Sequence, residues 1–232
     1  EDVHWADDDT GRVLDYLLHN RAAHHITVVL TSRDWELSPN RYLLLRRWEA
    51  EGHLTWIGLP PLQRDDFADL VRSRLADAGS SFIDLLEEET GGNPLFALSI
   101  LEAIDSAEPT AVPASPNQLP MPPYLCSLVE ARMRGLSPEA VQLAKVAALT
   151  REGVSLRQLE LVTGLGIGRI LDGLDELLTT RFVREDPDSD RIRVLPGFVR
   201  RAIVSTLSQS RRRYLLSMLG SSGNLCPPVR LQ

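Results

Sequence analysis

The chain has 232 residues, 43% of them hydrophobic and 25% charged, with a formal charge of −7. That is the balance of a globular protein, and it excludes wholesale disorder, a general nucleic-acid coat and a polybasic membrane surface. Two cysteines a hundred positions apart, Cys126 and Cys226, exclude a disulfide scaffold or a Cys-x-x-Cys zinc site and point to a reducing, cytoplasmic setting.

No apolar run reaches the roughly 18 residues needed to cross a bilayer. The chain opens on Glu1-Asp2 and not on a basic signal-peptide head, so a soluble, unexported protein without a membrane partner is expected. Asp7-Asp8-Asp9-Thr10 offers N-caps for a helix over about residues 9–20, with Val13, Leu14, Leu17 and Leu18 on one face. Ile26-Thr27-Val28-Val29-Leu30 reads as a buried parallel strand whose polar tip is Thr31-Ser32-Arg33. A helix is predicted over 41–50 and a short edge strand at Leu54 to Ile57.

Past Pro60-Pro61 the pattern becomes helical. Phe67, Leu70, Val71 and Leu75 have helical spacing, as do Ile83, Leu85 and Leu86, and a glycine stop at Thr90-Gly91-Gly92 precedes a third helix from Leu95 to Ile104. Six prolines from Pro109 to Pro123 mark an exposed linker. Helices are predicted at 124–133, 138–149 and 155–163, then from Gly168 to about Thr180. Phe182 to Arg184 and Arg191 to Val194 form a hairpin around Asp186-Pro187-Asp188-Ser189-Asp190. A last helix runs from Phe198 into Arg211-Arg212-Arg213, and the tail after Gly220 reads as unstructured.

Glu1 and Asp2 are paired carboxylates at what would be a strand tip, followed by a helix and a polar strand end. An NTPase needs this around magnesium: one acid on the metal's water shell, its neighbour orienting the attacking water, and a polar sensor toward the γ-phosphate. Solvated surface acids are the other reading of the pair alone. The strings Glu1-Asp2-Val3-His4-Trp5-Ala6-Asp7, Thr31-Ser32-Arg33 and Gly91-Gly92-Asn93-Pro94-Leu95-Phe96 together resemble, in order and spacing, the STAND branch of AAA+ type P-loop ATPases. The likeness is greatest to large LuxR-type ATP-binding transcriptional regulators and their cyclase-associated relatives, and it covers about residues 1–215.

The resemblance implies a fold that is α/β plus mostly α, with a partial P-loop NTPase core of parallel strands followed by a helical lid and a winged-helix domain. The implied divisions are an ATPase core half over 1–58, a lid over 59–106, the proline-rich linker over 107–123, a helical and winged-helix arm over 124–215, and a disordered tail over 216–232. It also implies ATP or ADP with Mg2+ as ligands. Glu1 and Asp2 would hold Walker B positions, Asp2 with the catalytic role and Glu1 reaching the metal through its water. Thr31 and Arg33 would be sensors, and Asn93 and Pro94 nucleotide-binding residues with the proline ring on the adenine. ADP would close lid and arm on the core, and ATP would release them for self-oligomerisation and signalling. DNA contact would come only through an output domain not found in this chain.

Two departures qualify this. A Walker A loop needs glycines and a lysine, but 24 of the 25 basic residues are arginine and the one lysine, Lys145, has no glycine near it. The chain is therefore expected to lack the first part of the core and not to hydrolyse ATP alone. Where the family carries a phosphate-sensing histidine after the wing, this chain has Pro196.

The alternative function is a non-enzymatic winged-helix module binding DNA or protein. Its recognition helix would carry Arg169 against Asp172, Asp175 and Glu176, and residues 137–205 hold ten basic and ten acidic side chains, so no positive face arises by composition. His24-His25 reads as a turn and not a metal pair. His4 and Trp5 are expected to pack beneath the acids, and Trp35, Trp48 and Trp56 to be core or rim residues.

Overall fold

The computed structural model describes residues 1–20, 26–106 and 113–223, with the side chains of Trp35 and of 221–223 left aside. His24-His25, the first part of the proline-rich stretch (107–112) and the tail from 224 onward lie outside the described residues. Two compact units divide the chain, Glu1–Pro60 and Pro61–Gln232.

The fold class expected from sequence is overturned. Among the described residues there are eleven α-helices and one two-stranded antiparallel sheet, with no parallel sheet. The composite of a parallel P-loop core and a winged-helix domain is not what this chain forms. Ile26 to Leu30 takes no strand pairing, and Ile26 and Val29 are 59% and 80% exposed. Leu54 to Ile57 is also unpaired, with Ile57 exposed. The physical reason is that a strand belongs to a pair. An apolar β-branched run without a neighbour to take its N–H and C=O groups leaves them to water, and apolar content alone does not make a sheet.

The first unit packs α1 (Asp8–His19) against α2 (Pro39–Ala50). Asp7 caps α1 by accepting the Thr10 amide at 2.7 Å, and Ser38 caps α2 ahead of Pro39. The core is small: Val3, Leu45 and Trp48 are buried, with Leu14, Leu18, Leu30, Leu37, Leu44 and Leu54 against them. The Trp48 Nε1–H donates to Asp15 Oδ1 at 2.6 Å. Buried Arg41 donates to the carbonyls of Ala6 and Asp7 at 2.6 and 2.9 Å, tying the segment before α1 to α2.

The second unit begins with α3 (Arg64–Arg74), α4 (Ser80–Thr90) and α5 (Pro94–Ser106), near the predicted positions. Phe67, Val71, Ile83, Leu86, Ala97 and Ile100 are fully or almost fully buried among them. The proline-rich stretch sends Leu119 into the same core at 3% exposure. Next come α6 (Pro123–Arg134), α7 (Pro138–Ala147), α8 (Leu156–Thr163) and α9 (Ile167–Thr179). The hairpin of β1 (Val183–Asp186) and β2 (Arg191–Val194) pairs Val183 with Val194 and Asp186 with Arg191, and Val154 bridges to Ile192. The last predicted helix is two, α10 (Gly197–Ser205) and α11 (Gln209–Gly223), and buried Leu215 and Leu219 carry order past residue 216. None of the described helices is long and apolar enough to cross a membrane.

Candidate functional site

Each unit holds one part of the residue set singled out by sequence. In the first unit the opening acids meet the Thr31 tip. The Asp2 amide donates to Thr31 Oγ1 at 2.9 Å and the Val3 amide to the Thr31 carbonyl at 2.9 Å. Asp2 adopts a left-handed backbone, φ 53°, a conformation that short polar residues such as aspartate tolerate better than most. Its carboxylate is about half exposed, and Glu1 is exposed.

His4, assigned no task by sequence, organises this edge. Its side chain is fully buried, and the Arg33 amide donates to its Nδ1 at 3.3 Å. The proton of a neutral ring is then on Nε2, which lies 3.3 Å from Glu36 Oε2 and 3.9 Å from Asp2 Oδ1 without a well-directed hydrogen bond. Arg33 donates through Nη1 to Glu36 Oε1 at 2.9 Å and lies 6.0 Å from the centroid of the Trp5 ring, which is itself 71% exposed and not packed beneath the acids. Asp2, His4, Thr31, Arg33 and Glu36 thus form one polar edge. Only Glu36 had no sequence signal, being an acid in a short 3-10 turn three residues after Arg33.

In the second unit the Gly91-Gly92-Asn93-Pro94 string makes a tight helix-to-helix turn. Gly91 and Gly92 have φ of 63° and 72°, and a side chain on Gly92 would place its Cβ 3.0 Å from Pro61 Cβ and 3.3 Å from the Leu62 carbonyl oxygen. Asn93 Oδ1 accepts the Leu95 amide at 3.0 Å, and exposed Pro94 opens α5. Turn chemistry therefore accounts for all four residues without a ligand. Beside the turn is an open recess of about 370 Å³ lined by Pro61, Leu62, Asp84, Glu87, Glu88 and the two glycines. Its carboxylates repel a polyphosphate, although Arg64 pairs with Asp84 and, at 3.0 Å, with Glu87.

Behind the turn is a buried ion pair that sequence did not reveal. Glu89, fully buried on α4, accepts from Arg201 Nε of α10 at 2.8 Å, and Arg201 Nη1 donates to the Leu119 carbonyl at 2.9 Å. Arg151 Nη2 is 3.7 Å from the other Glu89 oxygen, too far for a hydrogen bond but within ion-pair reach. Gly197 allows this approach, since a Cβ there would fall 2.6 Å from Glu89 Cδ. Pro196 touches the same turn, lying 3.3 Å from where a Gly91 Cβ would be. Burial pushes the neighbouring Arg200 guanidinium below its ordinary pKa, against the opposing pull of Glu89.

The chain matches no protein-family model, no curated protein and no solved structure. No family is shown for it by these comparisons. The functional reading accordingly rests on its own residues.

A hydrated Mg2+ keeps several waters and takes one or two carboxylates; here Asp2 would offer the carboxylate and Thr31 the hydroxyl, whose oxygen accepts the Asp2 amide. The triphosphate finds no cradle among the described residues, since Lys145 lies within α7. No hydrolytic step is assigned to this chain.

Proposed function

We propose that the chain belongs to an ATP-binding signalling protein of the kind its sequence resembles, a LuxR-type STAND regulator, and acts there as a nucleotide-governed switch without hydrolysing ATP alone. Its ligands would be ADP or ATP with Mg2+, its setting cytoplasmic, and its contact with DNA made through a separate output domain. The observation that carries the reading is the 2.9 Å hydrogen bond from the Asp2 amide to Thr31 Oγ1, which joins the acid string to the sensor string. The Glu89–Arg201 pair adds support by binding the lid turn to α10, so that a change at the turn is felt by the C-terminal helices.

The test is paramagnetic. Mn2+, standing in for Mg2+, added to isotopically labelled protein should broaden the amide signals of Asp2, Val3 and Thr31, and Asp2→Asn should abolish that broadening. Unchanged signals at those residues, or broadening that persists in the variant, would remove the metal role from this edge.

A second reading, as a protein-interaction or self-association module, is favoured by exposed apolar side chains on α8 and α9. Leu156, Leu161, Ile167 and Leu171 are 39–50% exposed. Direct DNA contact by α9 is disfavoured, because Asp172 and Asp175 are exposed and Arg169 is paired with Glu139. Sedimentation of the wild type and Leu171→Arg decides this: a concentration-dependent dimer lost in the variant supports self-association, and a monomer at all concentrations removes it.

A further inference from the structure

We propose that His19, Glu51 and His53 form a binding site for a divalent transition ion, zinc above all, independent of the Asp2–Thr31 edge. The three donor atoms lie within 4.8 Å of one another, and His19 Nε2 is 3.1 Å from Glu51 Oε2. Zinc bonds of about 2.0–2.2 Å in tetrahedral geometry put neighbouring ligand atoms roughly 3.3–3.5 Å apart. His19 Nε2 and Glu51 Oε2 stand slightly inside that spacing, and the donor of exposed His53 lies within 4.8 Å of the other two.

Local structure sets these donors before any ion arrives. His19 Nδ1 is 2.7 Å from the Asp15 carbonyl oxygen, which can only accept, so Nδ1 carries a proton and the neutral ring offers its lone pair at Nε2. A ring N–H held by a backbone carbonyl is the usual support for a metal-binding histidine. Nε2 and the Glu51 carboxylate then face each other as two acceptors, an arrangement that requires a proton or a cation between them. Glu51 and His53 sit on the turn that ends α2. The Gly52 amide donates to Glu49 and the His53 amide to Trp48, at 3.0 and 2.8 Å, with Gly52 at φ 76°. This is a Schellman turn, which holds the two ligands, two positions apart, on a fixed backbone. The His19 and His53 rings meet edge to face, centroids 5.1 Å apart.

Two imidazoles and a carboxylate select zinc, cobalt or nickel over magnesium or calcium, and three protein ligands leave a fourth position for water or a further donor. The ligands are sequence-distant, 32 and 34 positions apart, which is why no His-x-x-x-His pattern announces them.

The experiment is a titration of the whole chain with Co2+, followed by its visible d–d absorption, and then displacement by Zn2+. One equivalent should bind, and Zn2+ should raise Tm in the wild type. His53→Ala and Glu51→Gln should each weaken Co2+ binding at least about tenfold and lose the Zn2+-dependent rise in Tm, while circular dichroism stays that of the wild type. The double variant His24→Ala, His25→Ala should bind as the wild type does. The proposal fails if His53→Ala retains wild-type affinity, if replacing His24 and His25 abolishes binding, or if no Co2+ binds at millimolar concentration.

Discussion

The two units hold their key carboxylates in opposite environments. In Glu1–Pro60 the acids singled out by sequence are exposed or about half exposed, and Asp2 is held through its backbone amide to Thr31. In Pro61–Gln232 the decisive acid, Glu89, has no exposed surface and is held by a guanidinium on another helix. An exposed carboxylate is free to meet a ligand and contributes little to folding, whereas a buried one must be paired or the unit suffers. A carboxylate's burial therefore separates the residues of this chain available for chemistry from those committed to holding helices together.

The largest effect should come from breaking the buried pair. Arg201→Met leaves Glu89 buried with only the longer-range charges of Arg151 and Arg200, and removal of one partner from such a pair costs about 3–5 kcal/mol. Urea denaturation monitored by far-UV circular dichroism should show that loss. The double variant Glu89→Met, Arg201→Met should recover most of it, because replacing both charges by apolar groups is often neutral. Equal destabilisation in the single and double variants would mean that shape and not charge governs the contact.

Next is the turn in front of that pair. Gly92→Ala puts a side chain on a left-handed backbone and against Pro61 and Leu62. Strain of this kind costs about 1–3 kcal/mol, read as a lower urea midpoint with unchanged slope. A variant as stable as the wild type would show that the turn can relax and that both glycines are there for something besides backbone geometry.

This turn was legible in the sequence and the ion pair behind it was not. Gly91-Gly92-Asn93-Pro94 is local, and each residue names its own backbone state, as do the apolar rows that place α3, α4, α5 and α9. Glu89 and Arg201 are 112 positions apart, and nothing in either neighbourhood specifies the other. Ile26 to Leu30 fails for the related reason that a strand is defined by a partner elsewhere. At the edge in the first unit, Asp2, Thr31 and Arg33 could be named from their strings, while the burial of His4 and its approach to Glu36 depended on how a 3-10 turn folds back.

The exposed edge should tolerate what the buried pair does not. Asp2→Asn keeps a short polar side chain able to hold a positive φ, and the Asp2 amide still donates to Thr31. Its effect on unfolding free energy should stay within about 0.5 kcal/mol, although the same substitution is expected to remove Mn2+ binding. A large loss of stability would place Asp2 with Glu89 among the structural acids and erase the contrast between the units.

The smallest effect is a pH dependence at the start of α1. Asp7 is fully exposed, and its carboxyl is held below the ordinary aspartate value, chiefly by its side-chain hydrogen bond to Thr10, with the charge of Arg41 assisting. A pKa lower in the folded than in the unfolded chain means that the folded state binds fewer protons as pH falls. The stabilisation is then complete above the unfolded value of about 3.9 and is lost as pH drops through the lower folded value. Asp7→Asn keeps an N-cap acceptor of equal rank and removes the titration. Tm measured from pH 6 downward should be slightly higher in the wild type near neutrality, where the charged cap and its helix-dipole contribution are fully present. Below about pH 4 the wild type should fall toward the variant or beneath it. Parallel Tm curves over the whole range would show that Asp7 titrates alike in the folded and unfolded chain, and that the cap acts through its geometry without its charge.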